Sequence, residues 1–268
     1  MPGVEQQKDV GTEADIRLGG PAVVAEERLA FWRRKVDTGH GTSPWGRNGG
    51  VCHDSHAANQ TQRAECVDRL FTADGAWHGG FYELALEVGP RSDEHLQAAL
   101  SAIWSHPAVS GCYLDRGREP GEQQRVSPKG YLEDGSHLLG VAHLPNGVRA
   151  ACGTCLIREV DNGPDWLDFY LPMGSLGAVY PAGAFPFGTE GNPPGPWRRE
   201  VEGWLAELGL WVSRSASYRL GLVGFEVSGE VYAAEVASKG LPPVKHVGYL
   251  WPSGSGMSYH PRSPGTPD

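Results

Sequence analysis

Two cysteines three residues apart, Cys152 and Cys155, are the residues of this sequence whose type and spacing most clearly suggest a chemical role. A C-x-x-C pair can exchange a disulfide or supply two thiolates to zinc. Redox pairs of this type usually stand where a strand meets a helix, whereas this pair falls inside a predicted strand. Residues i and i+3 of a strand face opposite sides, so only a bulge at Gly153 would bring the sulfurs together. We therefore interpret both as small residues of a packed sheet, with a redox protein as the least favoured hypothesis.

A second set of chemically capable residues lies nearer the N-terminus: Cys52, His56 and Cys66, with His40 upstream. The segment 37–63 is rich in Gly, Ser, Asn and His, and has too few large apolar residues for a core of its own. Cys and His ligands in such a segment can bind a structural zinc ion, which supplies the missing folding energy. The spacing matches no standard zinc finger, so the alternative is a polar surface loop and no cofactor at all.

A pair of carboxylates, Asp165 and Asp168, begins a predicted strand, and His143 lies on the hairpin before it. Carboxylates beside a histidine can perform acid–base chemistry or hold a divalent cation. A small metal-dependent hydrolase that uses these residues or the Cys/His set is thus one hypothesis. Two observations argue against this hypothesis. The side chains of residues i and i+3 of a strand point to opposite faces, and Asp165 is explained equally well as part of the turn before the strand.

Aromatic side chains form a fourth candidate site, in the strand 166–171 and the Gly- and Pro-rich connection 172–196. Aromatic residues are favoured in ligand grooves and protein-binding surfaces, although aromatic residues of the core are commoner. The residues predicted to bind a ligand or partner are Trp166, Phe169, Tyr180, Phe185 and Phe187.

Motifs of high specificity are missing from the sequence. There is no phosphate-binding loop, no G-x-G-x-x-G after a strand and no G-x-S-x-G elbow. ATP, GTP, dinucleotides and serine catalysis therefore have no support, and no catalytic residue is predicted.

The elements that must position these residues follow from hydrophobic periodicity. Alternation over 81–88 predicts a half-buried strand, and Ser92 is a suitable N-cap for a helix over 93–105. A second helix is predicted over 196–213, with Pro196 at its first position. The other predicted strands are 108–114, 137–144, 148–160, 166–171 and 218–227. Residues 231–237 are predicted as a strand or a short helix, and 246–250 as an edge strand.

This order of strand-helix-strand, three-stranded meander and helix-strand resembles the ferredoxin-like α+β sandwich, with two helices on one face of an antiparallel sheet. The main domain is predicted over 79–252. A flexible leader is expected over 1–20, a helix with a polar Gly/His/Cys-rich appendage over 21–78, and a flexible tail over 253–268. The ferredoxin-like fold carries many functions, so it implies none by itself.

Composition narrows the class of partner. Lys and Arg number 23 against 32 Asp and Glu, and the formal charge of −9 opposes binding to nucleic acid or anionic membranes. The sequence has no long apolar segment that would predict a membrane span or an export signal, so we expect a soluble cytoplasmic protein. Five cysteines, an odd number, in such a chain favour reduced thiols over a framework of disulfides.

Together these features predict a non-enzymatic binding protein that recognises a macromolecular partner or a small molecule. A compact, acidic α+β protein with many tryptophans and no catalytic signature is similar in character to bacterial immunity and antitoxin-type inhibitors. That resemblance implies action by occluding a partner.

Overall fold

The computed structural model describes residues 69–160, 162–183, 185–187, 195–254 and 256–266. Within these ranges there are eight strands: β1 Phe81–Gly89, β2 Val109–Tyr113, β3 His137–His143, β4 Arg149–Arg158, β5 Asp165–Pro172, β6 Leu220–Phe225, β7 Gly248–Ser253 and β8 Gly256–His260. The same ranges contain four α-helices: α1 Asp93–Trp104, α2 Met173–Val179, α3 Trp197–Val212 and α4 Ala233–Lys239. The predicted leader and the Cys/His-rich segment lie outside the described residues.

All eight strands form one antiparallel sheet in the order β2-β3-β4-β5-β1-β6-β7-β8, so the α+β class is confirmed. The ferredoxin-like topology is not confirmed. In the ferredoxin-like fold, one other strand lies between the two strands of a strand-helix-strand unit. Here three strands, β3, β4 and β5, lie between β1 and β2. The reason is that β2 pairs with β3 and becomes the first strand of a four-stranded meander.

Helices α1 and α3 pack on one face of this sheet and against each other. Ser92 caps α1 by accepting a hydrogen bond from the His95 N–H at 3.3 Å. The Trp211 indole N–H of α3 donates to the Ala102 carbonyl of α1 at 3.1 Å and links the two helices. Both helices therefore form where apolar periodicity predicted them.

The central strand β1 is buried on both faces, so the prediction of a half-buried strand is wrong. Leu84 and Leu86 belong to the core beneath the helices. Glu83 and Glu87 point to the opposite face of the sheet, away from α1 and α3, which we call the reverse face. They are nevertheless only 2% and 1% exposed. The backbone N–H of Ser228, in the connection before α4, donates to Glu83 at 2.9 Å, so that connection lies over the reverse face.

A second segment covers the reverse face beside β2, β3 and β4. Phe71 packs there against Leu139 and Val141. The Glu119 carboxylate holds this segment by accepting hydrogen bonds from the backbone N–H groups of residues 70–72, between 2.7 and 3.2 Å. Two chain segments distant in sequence thus cover this face, although alternation over 81–88 predicted that β1 would be buried on one face only.

The C-terminal part departs from expectation in two places. The strand predicted over 246–250 corresponds to β7, which is not an edge strand because β8 pairs with it. Strand β8 itself lies within 253–268, where a flexible tail was expected. The undecided segment 231–237 forms α4. Among the described residues, no helix combines the length and apolarity needed to cross a bilayer.

Candidate functional site

The clearest candidate site is a group of rings where β1 begins and β6 ends. Phe185 and Phe187 come from the connection after α2, Trp197 begins α3, and Phe225 ends β6. Their ring centroids lie 4.9–5.6 Å apart for the pairs Phe185–Phe225, Phe187–Phe225, Phe187–Trp197 and Phe185–Phe187. With Tyr82 and Tyr180, which also contact Trp197, these residues make up what we call the aromatic cluster.

Exposure changes steeply across the aromatic cluster. Tyr82 is fully buried and Trp197 is 3% exposed, whereas Phe185 is 53% exposed. The Phe185 ring stacks on Phe225 with an interplanar angle of 17° and meets Phe187 edge-on. One side of the cluster is thus part of the protein core, and Phe185 presents a stacked ring to solvent.

A buried polar network underlies the rings. Arg198 Nε donates to the Tyr82 hydroxyl at 2.8 Å and to Glu202 Oε1 at 3.1 Å, and the Tyr82 hydroxyl donates to Glu202 Oε1 at 2.6 Å. Arg198 also lies 5.9 Å from the centroids of both the Tyr82 and the Phe187 rings. The Tyr82 hydroxyl is therefore held from two sides, by a charged donor and a charged acceptor that are themselves paired.

The Tyr82 hydroxyl remains protonated in this network. Burial raises the pKa of Tyr82 well above its ordinary value, and the Glu202 carboxylate raises it further against the opposing effect of Arg198. A neutral, fully buried phenol is a hydrogen-bonding group here and not a general base. The chemistry that the cluster supports is therefore recognition through stacking and apolar contact.

The structure separates the five aromatic residues predicted to bind a partner. Tyr180, Phe185 and Phe187 lie together in the aromatic cluster, and the Tyr180 hydroxyl donates to Glu200 at 2.8 Å. Trp166 and Phe169, by contrast, are both 0% exposed. The reason is that β5, like β1, is covered on both faces, so these two side chains are core residues.

Phe169 packs against Trp204 of α3, with ring centroids 5.8 Å apart. On the opposite face, the Trp166 indole N–H donates to Glu159 at 3.1 Å, and its ring meets Tyr232 edge-on. Neither residue can contact a partner without unfolding of the strand.

The residues of the hydrolase hypothesis do not form one site. Asp165 accepts a hydrogen bond from the Ser92 N–H at 3.0 Å on the helix side, while Asp168 accepts one from the Ser228 hydroxyl at 3.2 Å on the reverse side. His143 is exposed on β3, and β4 separates it from β5. The divergence of i and i+3 along β5 keeps the two carboxylates apart.

The two cysteines of the C-x-x-C pair are also on opposite faces. Cys152 lies in the core beneath the helices, and Cys155 stands opposite Asp168 on the reverse face. The pairing of β4 with β3 and β5 continues through Gly153 without a register shift. Neither thiol takes part in a disulfide and both are buried, and burial raises the pKa of Cys152 well above its ordinary value.

The zinc hypothesis stays a prediction, because His40, Cys52, His56 and Cys66 lie outside the described residues. Within the part of the chain that the structure describes, no three His, Cys, Asp or Glu side chains come together as metal ligands.

Sequence reasoning missed Tyr82, Trp197, Arg198, Glu202 and Phe225 as members of the candidate site. The apolar pattern of their elements explains Tyr82, Trp197 and Phe225 as core residues, whereas Arg198 and Glu202 fall between the apolar positions of α3. The available signal was position: Trp197 follows the long connection directly, and Phe225 is the last residue of its strand.

The described residues thus define an α+β protein with one eight-stranded antiparallel sheet and an aromatic cluster at one end of it. A scan of the chain against models of protein families found no match, and searches of curated proteins and of solved structures found none either.

Proposed function

We propose that this chain is a non-enzymatic binding protein that recognises a macromolecular partner through the exposed side of the aromatic cluster. The observation that carries the proposal is Phe185, a ring that is 53% exposed and stacked on Phe225 at 4.9 Å. Large exposed aromatic side chains are typical anchors of protein interfaces. Phe185 needs little further ordering to bind, because its neighbours already restrict it.

The surroundings of Phe185 support this role. Phe187 packs against Phe185, and Trp197 packs against Phe187. Arg198 and Glu202, whose side chains are both buried, form an ion pair at the start of α3 that holds Tyr82. A patch packed on this base is formed before the partner arrives, which reduces the entropic cost of association. Such a preformed surface suits the occluding mode of action that the likeness to immunity and antitoxin-type inhibitors implies.

Charge narrows the class of partner in this proposal. The formal charge of −9 repels acidic surfaces and accelerates encounter with basic ones. We therefore expect the partner to be a protein with a basic surface around an apolar depression that takes the Phe185 ring.

The test compares two substitutions of equally exposed apolar residues. Phe185→Ala removes the ring from the cluster, whereas Leu114→Ala, at a residue 52% exposed after the edge strand β2, is the matched control. Partners captured by the wild-type chain are identified by mass spectrometry, and their affinities are measured with purified proteins. We expect Phe185→Ala to weaken binding at least about tenfold and Leu114→Ala to leave it unchanged. Equal affinity for both variants, or turnover of a defined substrate by the purified protein, overturns the proposal.

A further inference from the structure

A groove of about 500 Å³ opens where the end of β4 meets the beginning of α1. Arg158 lines it and pairs across the sheet with Asp165, which in turn pairs with Gly89 at the end of β1. The aromatic cluster contains Tyr82, near the start of β1, so the groove lies at the other end of the sheet. It is a separate feature, unrelated to the proposed partner surface.

Arg158 is a buried cation in this groove with unused hydrogen-bonding capacity. Its side chain is 7% exposed, and Nη2 lies 2.6 Å from Oδ1 of Asp93, whose own side chain is 75% exposed. Nε is buried and has no hydrogen-bond partner among the described residues. Buried N–H donors are normally paired, and a guanidinium has five of them in a fork that matches a carboxylate. The Arg158 side chain therefore keeps one hydrogen-bond donor that has no acceptor among the described residues.

The walls of the groove are held in place by the protein itself. The Gln97 side chain of α1 accepts a hydrogen bond from the Gly130 N–H at 2.8 Å and donates to the Pro128 carbonyl at 3.3 Å. Across the groove, Asp134 accepts a bond from the Arg158 backbone N–H at 3.0 Å. The opening is therefore formed without a ligand, as small-molecule sites usually are.

The charges that line the groove are of both signs. Arg91, Arg158 and the N-terminal turn of the twelve-residue helix α1 favour a negative group. Asp93, Glu133 and Asp134 also line the groove and favour a positive group. Phosphate, with up to two negative charges, would meet three carboxylates, whereas a ligand with one carboxylate and one ammonium group matches both sets.

We propose that this groove binds a small zwitterion of the amino-acid class. The ligand's carboxylate pairs with Arg91 and Arg158, and its ammonium group pairs with Glu133.

The test is isothermal titration calorimetry on the full chain with glycine, β-alanine and γ-aminobutyrate, which separate the two charges by increasing lengths. Butyrate and butylamine each carry one of the charges alone. We expect at least one zwitterion to bind at least about tenfold more tightly than either of these two. Arg91→Gln and Glu133→Gln, both at exposed positions, each weaken that binding about tenfold, and Arg199→Gln on the exposed side of α3 does not.

Two results overturn the proposal. One is the absence of both heat and a thermal shift for all three zwitterions in the tens of millimolar range. The other is binding that Arg91→Gln leaves unchanged. Because Arg158 is buried, its substitution is not part of the test, and loss of folding cannot imitate loss of binding.

Discussion

The carboxylate of Glu87 accepts a 2.6 Å hydrogen bond from the backbone N–H of Ala233, the first residue of α4. Tyr232, the residue at the N-cap position, makes no capping bond with its own side chain. A residue in the central strand thus caps a helix that forms far downstream in sequence. This contact fastens the cover of the reverse face to the middle of the sheet.

Substitution of Glu87 by alanine is expected to lower the free energy of unfolding by about 1–3 kcal/mol, because the buried Ala233 N–H loses its acceptor. Glu87→Gln keeps an acceptor oxygen and should lose less. Urea denaturation measures both, with Glu94→Gln, at an exposed position in the first turn of α1, as the control. An alanine variant as stable as the wild type would show that the bond contributes nothing.

Glu119 should stabilise the fold at neutral pH and lose this effect in acid. Burial alone would raise its pKa, but hydrogen bonds from the Thr72 hydroxyl and from the backbone of residues 70–72 outweigh burial and lower the pKa below 4.5. A carboxyl whose pKa is lowered by folding stabilises above the unfolded pKa, and this contribution disappears as pH falls through the folded pKa.

We therefore expect Glu119→Gln to destabilise the protein at pH 7 and to differ progressively less from the wild type below pH 4.5. Urea midpoints across this range measure the difference. A difference that stays constant with pH would contradict the assignment.

Glu83 should show the opposite dependence on pH. Burial raises its pKa well above 4.5, and the nearby charge of Asp168 raises it further. Folding then favours the protonated form, so this stabilisation is complete below the unfolded pKa and declines as pH rises above it. Glu83→Gln resembles the protonated form and can still accept from the Ser228 N–H. We expect the unfolding free energy of the variant, relative to that of the wild type, to be higher at about pH 8 than at pH 5. Unfolding in urea at both pH values measures this difference. The same difference at both values would refute the prediction.

Phe187 and Phe185 should differ in their effect on stability. Phe187 is half-buried between Phe225, Trp197 and Tyr82, so Phe187→Ala is expected to cost about 2–3 kcal/mol of unfolding free energy. Phe185→Ala removes a ring that is 53% exposed and should cost about 1 kcal/mol or less. Thermal and urea unfolding of the two variants test the order, and a larger loss for Phe185→Ala would mean that its ring is structural.

The cysteines of the sheet should resist both alkylation and oxidation in the folded protein. Cys112, Cys152 and Cys155 are at most 1% exposed, and burial raises the pKa of Cys112 to about 12. Iodoacetamide labelling with peptide mass spectrometry should modify these three only after urea is added. A Cys152–Cys155 disulfide formed by a mild oxidant under native conditions would revive the redox hypothesis.

The strands and the two long helices were predictable because each depends on local pattern. The alternation of β1 sets Tyr82, Leu84 and Leu86 on one face of the strand, and these three residues lie in the core. It could not show that Glu83 and Glu87 are buried, because their partners, Ser228 and Ala233, are supplied by tertiary contacts late in the chain. The sequence predicted a meander of three strands, whereas the structure has four, because β2 pairs with β3. The residue pattern within either strand does not show which strand it pairs with.

The candidate site was predicted only in part. Tyr180, Phe185 and Phe187 were predicted because aromatic residues are favoured in ligand grooves and protein-binding surfaces. Trp166 and Phe169 were indistinguishable from them by residue type, and only the double coverage of β5 shows them to be core residues. The groove at Arg158 gave no signal, because its lining joins three stretches of chain that no motif connects.

The central position of β1 has a consequence for synthesis of the chain. Leu84 pairs with Phe169 and Val223, so both edges of β1 remain open on the ribosome until β5 and β6 have emerged. Strands β2 to β5, in contrast, can pair one after another as they are made. Unpaired strand edges invite association between chains, and late long-range pairing slows folding. The interval between translation of β1 and translation of β6 is therefore when the nascent chain most needs protection by chaperones.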